Sequence, residues 1–251
     1  MRNLKLQVEY DGTNYCGWQV QRGQKSQRHK KLSIQEVIEK TLRKILQEKV
    51  NLIASGRTDA GVHAKAQVAN FKTNSAIPLE KLQKALNGLL PDDITISKIE
   101  EAALNFHSRF AVKSKLYRYT ILNRPFPSAF LANTAYFYPY PLNVKIMQKE
   151  ARKLLGRHNF KAFQASDIQK RNPIKTIKKI EVAKEKDLIY IDIEADGFLY
   201  NMVRNIVGTL IEIGRTRFSS ESLNRILYSK DRRLAGPTAP AKGLCLLKVR
   251  Y

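Results

Sequence analysis

Ser55-Gly56-Arg57-Thr58-Asp59-Ala60-Gly61-Val62-His63-Ala64 sets two glycines five residues apart around a cation, a hydroxyl and a carboxylate. Glycine adopts backbone conformations closed to other residues and lets a second backbone or a ligand come close. A segment punctuated in this way is a shaped loop, and shaped loops on rigid scaffolds are where functional groups concentrate. Upstream, Val50 to Ala54 reads as a short strand; downstream, Ala66 to Phe71 alternates, so the loop is expected between two strands. Asp59 stands among small residues that leave its carboxylate reachable. Taken alone, the segment also fits a surface turn in which Arg57 and Asp59 pair, because turns use Gly and Asp for local reasons.

Working outward, Leu4 to Tyr10 alternates apolar and polar without a fault, the pattern of a strand with one wet face in an antiparallel sheet. A tract with Arg22, Lys25, Arg28, Lys30 and Lys31 follows, uninterrupted by any acid. It reads either as a solvated loop or as a set of phosphate contacts. Ser33-Ile34-Gln35-Glu36 fits a capping box. The helix it opens carries Ile34, Val37, Ile38, Leu42, Ile45 and Leu46 on one face. After the loop, Pro78 suits a first helical turn, with Leu79, Leu82, Leu86 and Leu89 as a buried stripe, and Ile94 to Ile99 returns as a strand.

The second half reads similarly. Tyr117 to Leu122 is a strand, and a proline- and aromatic-rich connector runs from Pro125 to Pro141. A helix begins at Leu142 or Asn143 with Gly156 as its stop. Ile174 to Ala183 and Leu188 to Ala195 form a hairpin around Lys186-Asp187. A long apolar helix runs from about Leu199 to Ile213, Ser219 or Ser220 caps a shorter one, and Gly243 to Val249 is a last strand. The expectation is an α+β protein of two similar domains, residues 1–105 and 106–251, with mixed, mainly antiparallel sheets.

Of 251 residues, 45 are Lys or Arg and 22 Asp or Glu, a net charge of +23. Such an excess suits a polyanion. No long apolar run, signal peptide or basic amphipathic helix with a bulky apolar face is read in the sequence, so nucleic acid is preferred to a membrane surface. Cys16 and Cys245 lack metal-ligand spacing and the four histidines are scattered. Reduced thiols in a cytoplasmic protein, with no metal and no cofactor, are therefore expected.

Arg204 lies within the apolar helix beside Asn201, Asn205 and Gly208, and an Arg there is costly to bury without a carboxylate partner. The alternative is a surface Arg whose head reaches water. Tyr117 and Tyr119 share one face of their strand and Arg118 takes the other. Phe106-His107-Ser108-Arg109-Phe110 precedes them.

The unbroken run from Gly56 to Ala64 resembles the signature loop of the tRNA pseudouridine synthase A (TruA) family. Met202-Val203-Arg204 with Val207-Gly208-Thr209-Leu210, Tyr117-Arg118-Tyr119, and Ala239-Pro240-Ala241-Lys242-Gly243-Leu244 resemble further family segments. The resemblance implies that Asp59 is the nucleophile and Arg204 its guanidinium partner. It implies that Tyr117 packs on the target uracil and moves a proton, and that backbone near Leu244 meets the uracil edge. Arg57 would fill the space left by a flipped-out base, and Arg171 would lie in a basic turn near the site. It further implies a pseudouridine synthase fold with its site in a cleft between the domains. The substrate would be uridines 38 to 40 of the tRNA anticodon stem-loop, and the enzyme a homodimer. A non-catalytic RNA-binding protein would explain the charge but leave the Arg57-Thr58-Asp59 loop without purpose. An Asp-dependent glycoside hydrolase would need a second placed carboxylate.

If Arg22, Lys25, Arg28, Lys30 and Lys31 contact phosphates, replacing all five by Ser should weaken tRNA binding. Each lost contact should flatten the log–log salt slope by roughly 0.7–0.9. An unchanged slope in a titration at several salt concentrations would make the tract a solvated loop.

Overall fold

β1 (Arg2–Tyr10) keeps the expected alternation: Leu4, Leu6, Val8 and Tyr10 are buried, while Lys5, Gln7 and Glu9 are not. The computed structural model describes residues 1–19, 31–166, 172–218 and 221–251. Arg22, Lys25, Arg28, Lys30, Arg171, Ser219 and Ser220 lie outside the described residues. The chain divides into two compact units, Met1–Lys113 with Leu246–Tyr251, and Ser114–Cys245.

In the first unit, β1 pairs antiparallel with both β3 (His63–Thr73) and β4 (Ile94–Ala102), and the two-residue β2 (Ile53–Ala54) pairs with β3. α1 (Ile34–Leu46) starts where expected, because the Ser33 side chain accepts the Glu36 N–H at 3.1 Å, satisfying one of the orphan donors of the first turn. Ile34, Ile38 and Leu42 are its buried stripe. α2 (Leu79–Leu89) follows Pro78 and packs on β4. Asn87 exchanges two hydrogen bonds with the Ile96 backbone, covering part of the outer strand's exposed ladder.

Two expectations fail here for identifiable reasons. Val50 to Leu52 is not strand: Val50 and Leu52 are buried, but the Leu52 N–H goes to Glu39 Oε1 at 2.8 Å and joins no ladder. Leu89 is 47% exposed, because α2 ends there and the extended Leu90 turns inward in its place.

Asn3, Asn70 and Ser108 are buried side by side in this unit and bond to one another. Asn3 donates to the carbonyls of Ala103 and Phe106, Asn70 donates to Asn3 Oδ1, and the Ser108 N–H donates to Asn70 Oδ1, each at 2.9 Å. The chain's last residues return here: Lys113 N–H donates to the Arg250 carbonyl and the Tyr251 hydroxyl to that of Ser108.

The second unit orders β5 (Ser114–Leu122), β9 (Leu188–Ala195), β8 (Ile174–Glu185) and β7 (Gly156–Asn159) side by side, all antiparallel, with β6 (Tyr136–Phe137) parallel to β5. The hairpin is the expected one, turning through Lys186 at φ +52 and Asp187. α3 (Val144–Ala151) is capped by Asn143 and packs on β8 and on α4 (Met202–Gly214). α5 (Ser222–Ser229) follows, and β10 (Leu244–Arg250) closes the chain. α4 begins three residues later than periodicity predicts. Asn201 takes the left-handed conformation, φ +58, so no helical repeat can run through it. The α+β class expected from the sequence is the one observed.

Candidate active site

In the first unit the Gly56–Val62 segment has no ladder of its own, so its polar backbone must be satisfied by neighbours. At its entry Ser55 N–H donates to the Val68 carbonyl, Ser55 Oγ donates to Gln67 Oε1 at 2.6 Å, and fully buried Gln67 donates back to the Gly56 carbonyl at 3.0 Å. Over its middle, Trp18 N–H donates to the Thr58 carbonyl at 3.1 Å, and the Tyr10 hydroxyl shares a 2.8 Å bond with Thr58 Oγ1. A Cβ on Gly17, whose φ is +104, would stand 2.6 Å from that same carbonyl, so glycine alone permits the approach. Val62 N–H closes a turn onto the Asp59 carbonyl. Thr58 is buried, Asp59 half-buried, and Arg57 and Ala60 exposed. The carboxylate rides on a backbone held on both sides while keeping access to solvent. In the sequence Tyr10 and Trp18 carry no motif signal beyond a Gly-Trp pair just after the first strand.

Behind the loop lies a second carboxylate. Burial alone would raise the Asp11 carboxyl, but hydrogen bonds from Thr13 N–H (2.9 Å) and Thr13 Oγ1 (2.5 Å), with the His63 ring beside it, hold it below its ordinary range. His63 Nδ1 is 3.0 Å from Asp11 Oδ1 and 3.1 Å from the Gly12 N–H: bare, it accepts from Gly12; protonated, it donates to Asp11. A carboxyl whose folded pKa is lowered contributes stability above its unfolded value and loses it as pH falls through the folded one. The melting-temperature gap between wild type and Asp11→Asn should therefore be present at about pH 6 and close below about pH 4. A gap of the same size at both pH values would show that the Asp11 charge contributes nothing.

In the second unit Arg204 occupies the first turn of α4, half-buried. Its Nε donates to the Ala239 carbonyl at 2.7 Å, its Nη1 donates to Asn201 Oδ1 at 2.9 Å, and Ala239 N–H returns a bond to the Arg204 carbonyl. The left-handed Asn201 thus doubles as a guanidinium holder, a role that periodicity could not reveal. On the next carbonyl, Pro240, the Tyr119 hydroxyl donates at 2.8 Å. Burial pushes that hydroxyl well above the ordinary tyrosine range, so it stays a donor. Tyr119 is a clamp between β5 and the Ala239-Pro240 turn. Tyr117, two residues earlier and nearly buried, meets Phe198 edge-on at 5.1 Å. Arg118, on the other strand face, makes a two-point pair with Asp192 at 2.7 and 2.8 Å. Leu244 is buried at the start of β10.

The turn reaches Arg204 because α4 lets it close in. A Cβ on Gly208 would overlap the Pro237 carbonyl oxygen. Fully buried Asn205 donates to the Phe163 carbonyl (2.8 Å) and accepts from Thr238 Oγ1 (2.6 Å) and Arg232 Nη2 (3.0 Å). Thr209 Oγ1 accepts the Gly236 N–H at 2.9 Å.

Lys31, at the end of the basic tract, lies at the surface with its Nζ donating to the Thr13 carbonyl at 3.1 Å. Among the described residues no group of three or more His, Cys, Asp or Glu could hold a metal ion, and no helix is long and apolar enough to cross a membrane. Cys16 and Cys245 form no disulfide.

The first unit thus carries a loop carboxylate on a braced backbone and the second an Arg-bearing helix, within a strongly basic chain. The chain belongs to the tRNA pseudouridine synthase family, whose model matches residues 6–111 and 151–251. It is 48% identical to a tRNA pseudouridine synthase A of Thermoanaerobacter sp. (strain X514) over 251 residues, all of both chains. The protein of the same name from Acetivibrio thermocellus is 45% identical over 251 residues, as is that from Clostridium acetobutylicum, again covering all of each chain.

Asn205→Ala removes the donor to the Phe163 carbonyl and the acceptor shared by Thr238 and Arg232. At about 1–3 kcal/mol for each buried polar group left unsatisfied, calorimetry should show a melting temperature lower by roughly 4–10 °C. A drop under about 1 °C would mean that the turn is held by other contacts.

Proposed function

We propose that this tRNA pseudouridine synthase isomerises uridines 38 to 40 of the anticodon stem-loop, acting as a cytoplasmic homodimer. Asp59 is its nucleophile, Arg204 the guanidinium partner, Tyr117 the residue against the uracil, and the target nucleoside is turned out of the stack. The observation that carries this reading is the intact Gly56–Ala64 loop, with a half-buried Asp59 on a backbone braced by Trp18, Tyr10 and Gln67.

The reaction conserves atoms. The bond from uracil N1 to the sugar carbon breaks, the base turns, and C5 bonds to that same carbon; C5 then loses its proton while N1 gains one. No oxidant, reductant or outside energy source is required. Asp59 serves as the carboxylate of a covalent route, and a guanidinium beside it keeps it ionised and oriented. Tyr117 supplies a hydroxyl for the closing proton transfer from C5. Arg57, exposed on the same loop, occupies the space that the extruded base leaves, and backbone near Leu244 meets the uracil edge. The surplus of cations attracts the tRNA phosphates.

Asp59→Asn should bind tRNA and melt as wild type does, yet form no pseudouridine above background. Tyr117→Phe should fold and bind but turn over slowly. Arg204→Met should lose activity and about 1–3 kcal/mol of stability, because the Ala239 carbonyl loses its donor. Mapping pseudouridine in tRNA treated with each variant checks all three, and wild-type turnover by Asp59→Asn would sink the assignment.

A further inference from the structure

Phe106 to Phe110 takes no part in the chemistry above, yet the fold invests in its shape. Ser108 is completely buried; its N–H is held by Asn70 Oδ1, its Oγ donates to the Ile53 carbonyl, and its carbonyl accepts from the Tyr251 hydroxyl. Asn3 holds the Phe106 carbonyl at 2.9 Å. Phe110 N–H and Ala111 N–H both donate to the His107 carbonyl, and Arg109 N–H to His107 Nδ1. On this anchored turn Phe110 is 77% exposed, where an apolar ring gains nothing from folding. His107 stacks on it at 4.2 Å with the planes 30° apart, and the exposed Arg109 guanidinium lies 5.7 Å from its centre.

We propose that Phe110, with His107 and Arg109, is a stacking platform for an unpaired base of the tRNA substrate, a reading that rests on the tRNA activity proposed above. An exposed ring backed by an imidazole and flanked by a guanidinium matches a nucleobase with its phosphate: the π-face takes any base and the cation takes the backbone. Pre-anchoring matters because a turn already ordered loses little freedom on binding. Ser108 ties the platform to Ile53, two residues before Ser55 and the Asp59 loop, so a base seated there is recruited beside the reaction loop of the same unit.

The test uses the full-length protein with wild type, Phe110→Leu, Phe110→Trp and Arg109→Gln, measuring tRNA affinity at several salt concentrations and melting temperature. Phe110→Leu keeps apolar bulk and loses the π-face; it should weaken tRNA binding roughly 5- to 150-fold with slope and melting temperature unchanged. Phe110→Trp should bind as wild type, and Arg109→Gln should flatten the salt slope by roughly 0.7–0.9. Phe110→Leu binding within about twofold of wild type, while wild type modifies tRNA normally, overturns the platform and leaves the enzyme assignment standing. Loss of self-association by Phe110→Leu with tRNA affinity intact also overturns it, making the surface a contact between protein copies. A wild-type protein that forms no pseudouridine in tRNA would remove the functional reading and this one with it.

Discussion

Trp18 reaches the Thr58 carbonyl only because Gly17 carries no side chain, and the position of the Asp59 backbone follows from that bond. A loop outside any ladder still has to find partners for its N–H and carbonyl groups, since each one buried without a partner costs about 1–3 kcal/mol. Here the backbone partners are Trp18 on one side and Gln67 on the other, with the Tyr10 hydroxyl holding the Thr58 side chain. The loop is therefore tied to β1 through Tyr10, to β3 through Gln67 and to the segment that carries Trp18. Such tethering is what a positioned carboxylate requires, because a reacting group displaced by an ångström loses much of its advantage.

The second unit solves the same problem with different chemistry. Two successive carbonyls, Ala239 and Pro240, are taken by a guanidinium and by a phenol whose proton burial retains. The turn is pressed onto α4 at Gly208 and locked by Asn205 and Thr209. Buried polar clusters of this sort tolerate little change, because losing one member leaves the others unsatisfied in a low-dielectric setting. Arg204 is consequently held by main-chain and amide oxygens of its own unit, so the rotamer entropy of its long side chain is given up on folding and not on meeting a substrate.

Where one apolar face alternates with one wet face, as in β1, α1 and the hairpin of β8 and β9, sequence periodicity was enough to locate the element. It failed where a backbone group found a side-chain partner, as Leu52 did with Glu39, or where a single residue left the right-handed region, as Asn201 did. Neither event leaves a periodic trace. The residues proposed for the site, Asp59 and Arg204, stand out in the sequence as members of motifs. Their supports do not, since Tyr10 and Thr58 stand 48 positions apart and Tyr119 and Pro240 stand 121 apart. Nothing in a local window marks such pairs.

The return of Leu246–Tyr251 to the first unit bears on how that unit assembles. Its outermost hydrogen bonds, from Lys113 to Arg250 and from Tyr251 to Ser108, join segments separated by the whole of Ser114–Cys245. Closing so long a loop in a disordered chain carries an entropic penalty that rises with the logarithm of its length. Contacts of such separation form late and slow the search for the native state. Prior collapse of the intervening unit would shorten the effective loop, so the folding rate of the first unit is coupled to that of the segment it encloses. A destabilised second unit would then reveal itself as sluggish maturation of the turn carrying Ser108, well before any loss in the melting behaviour of the first.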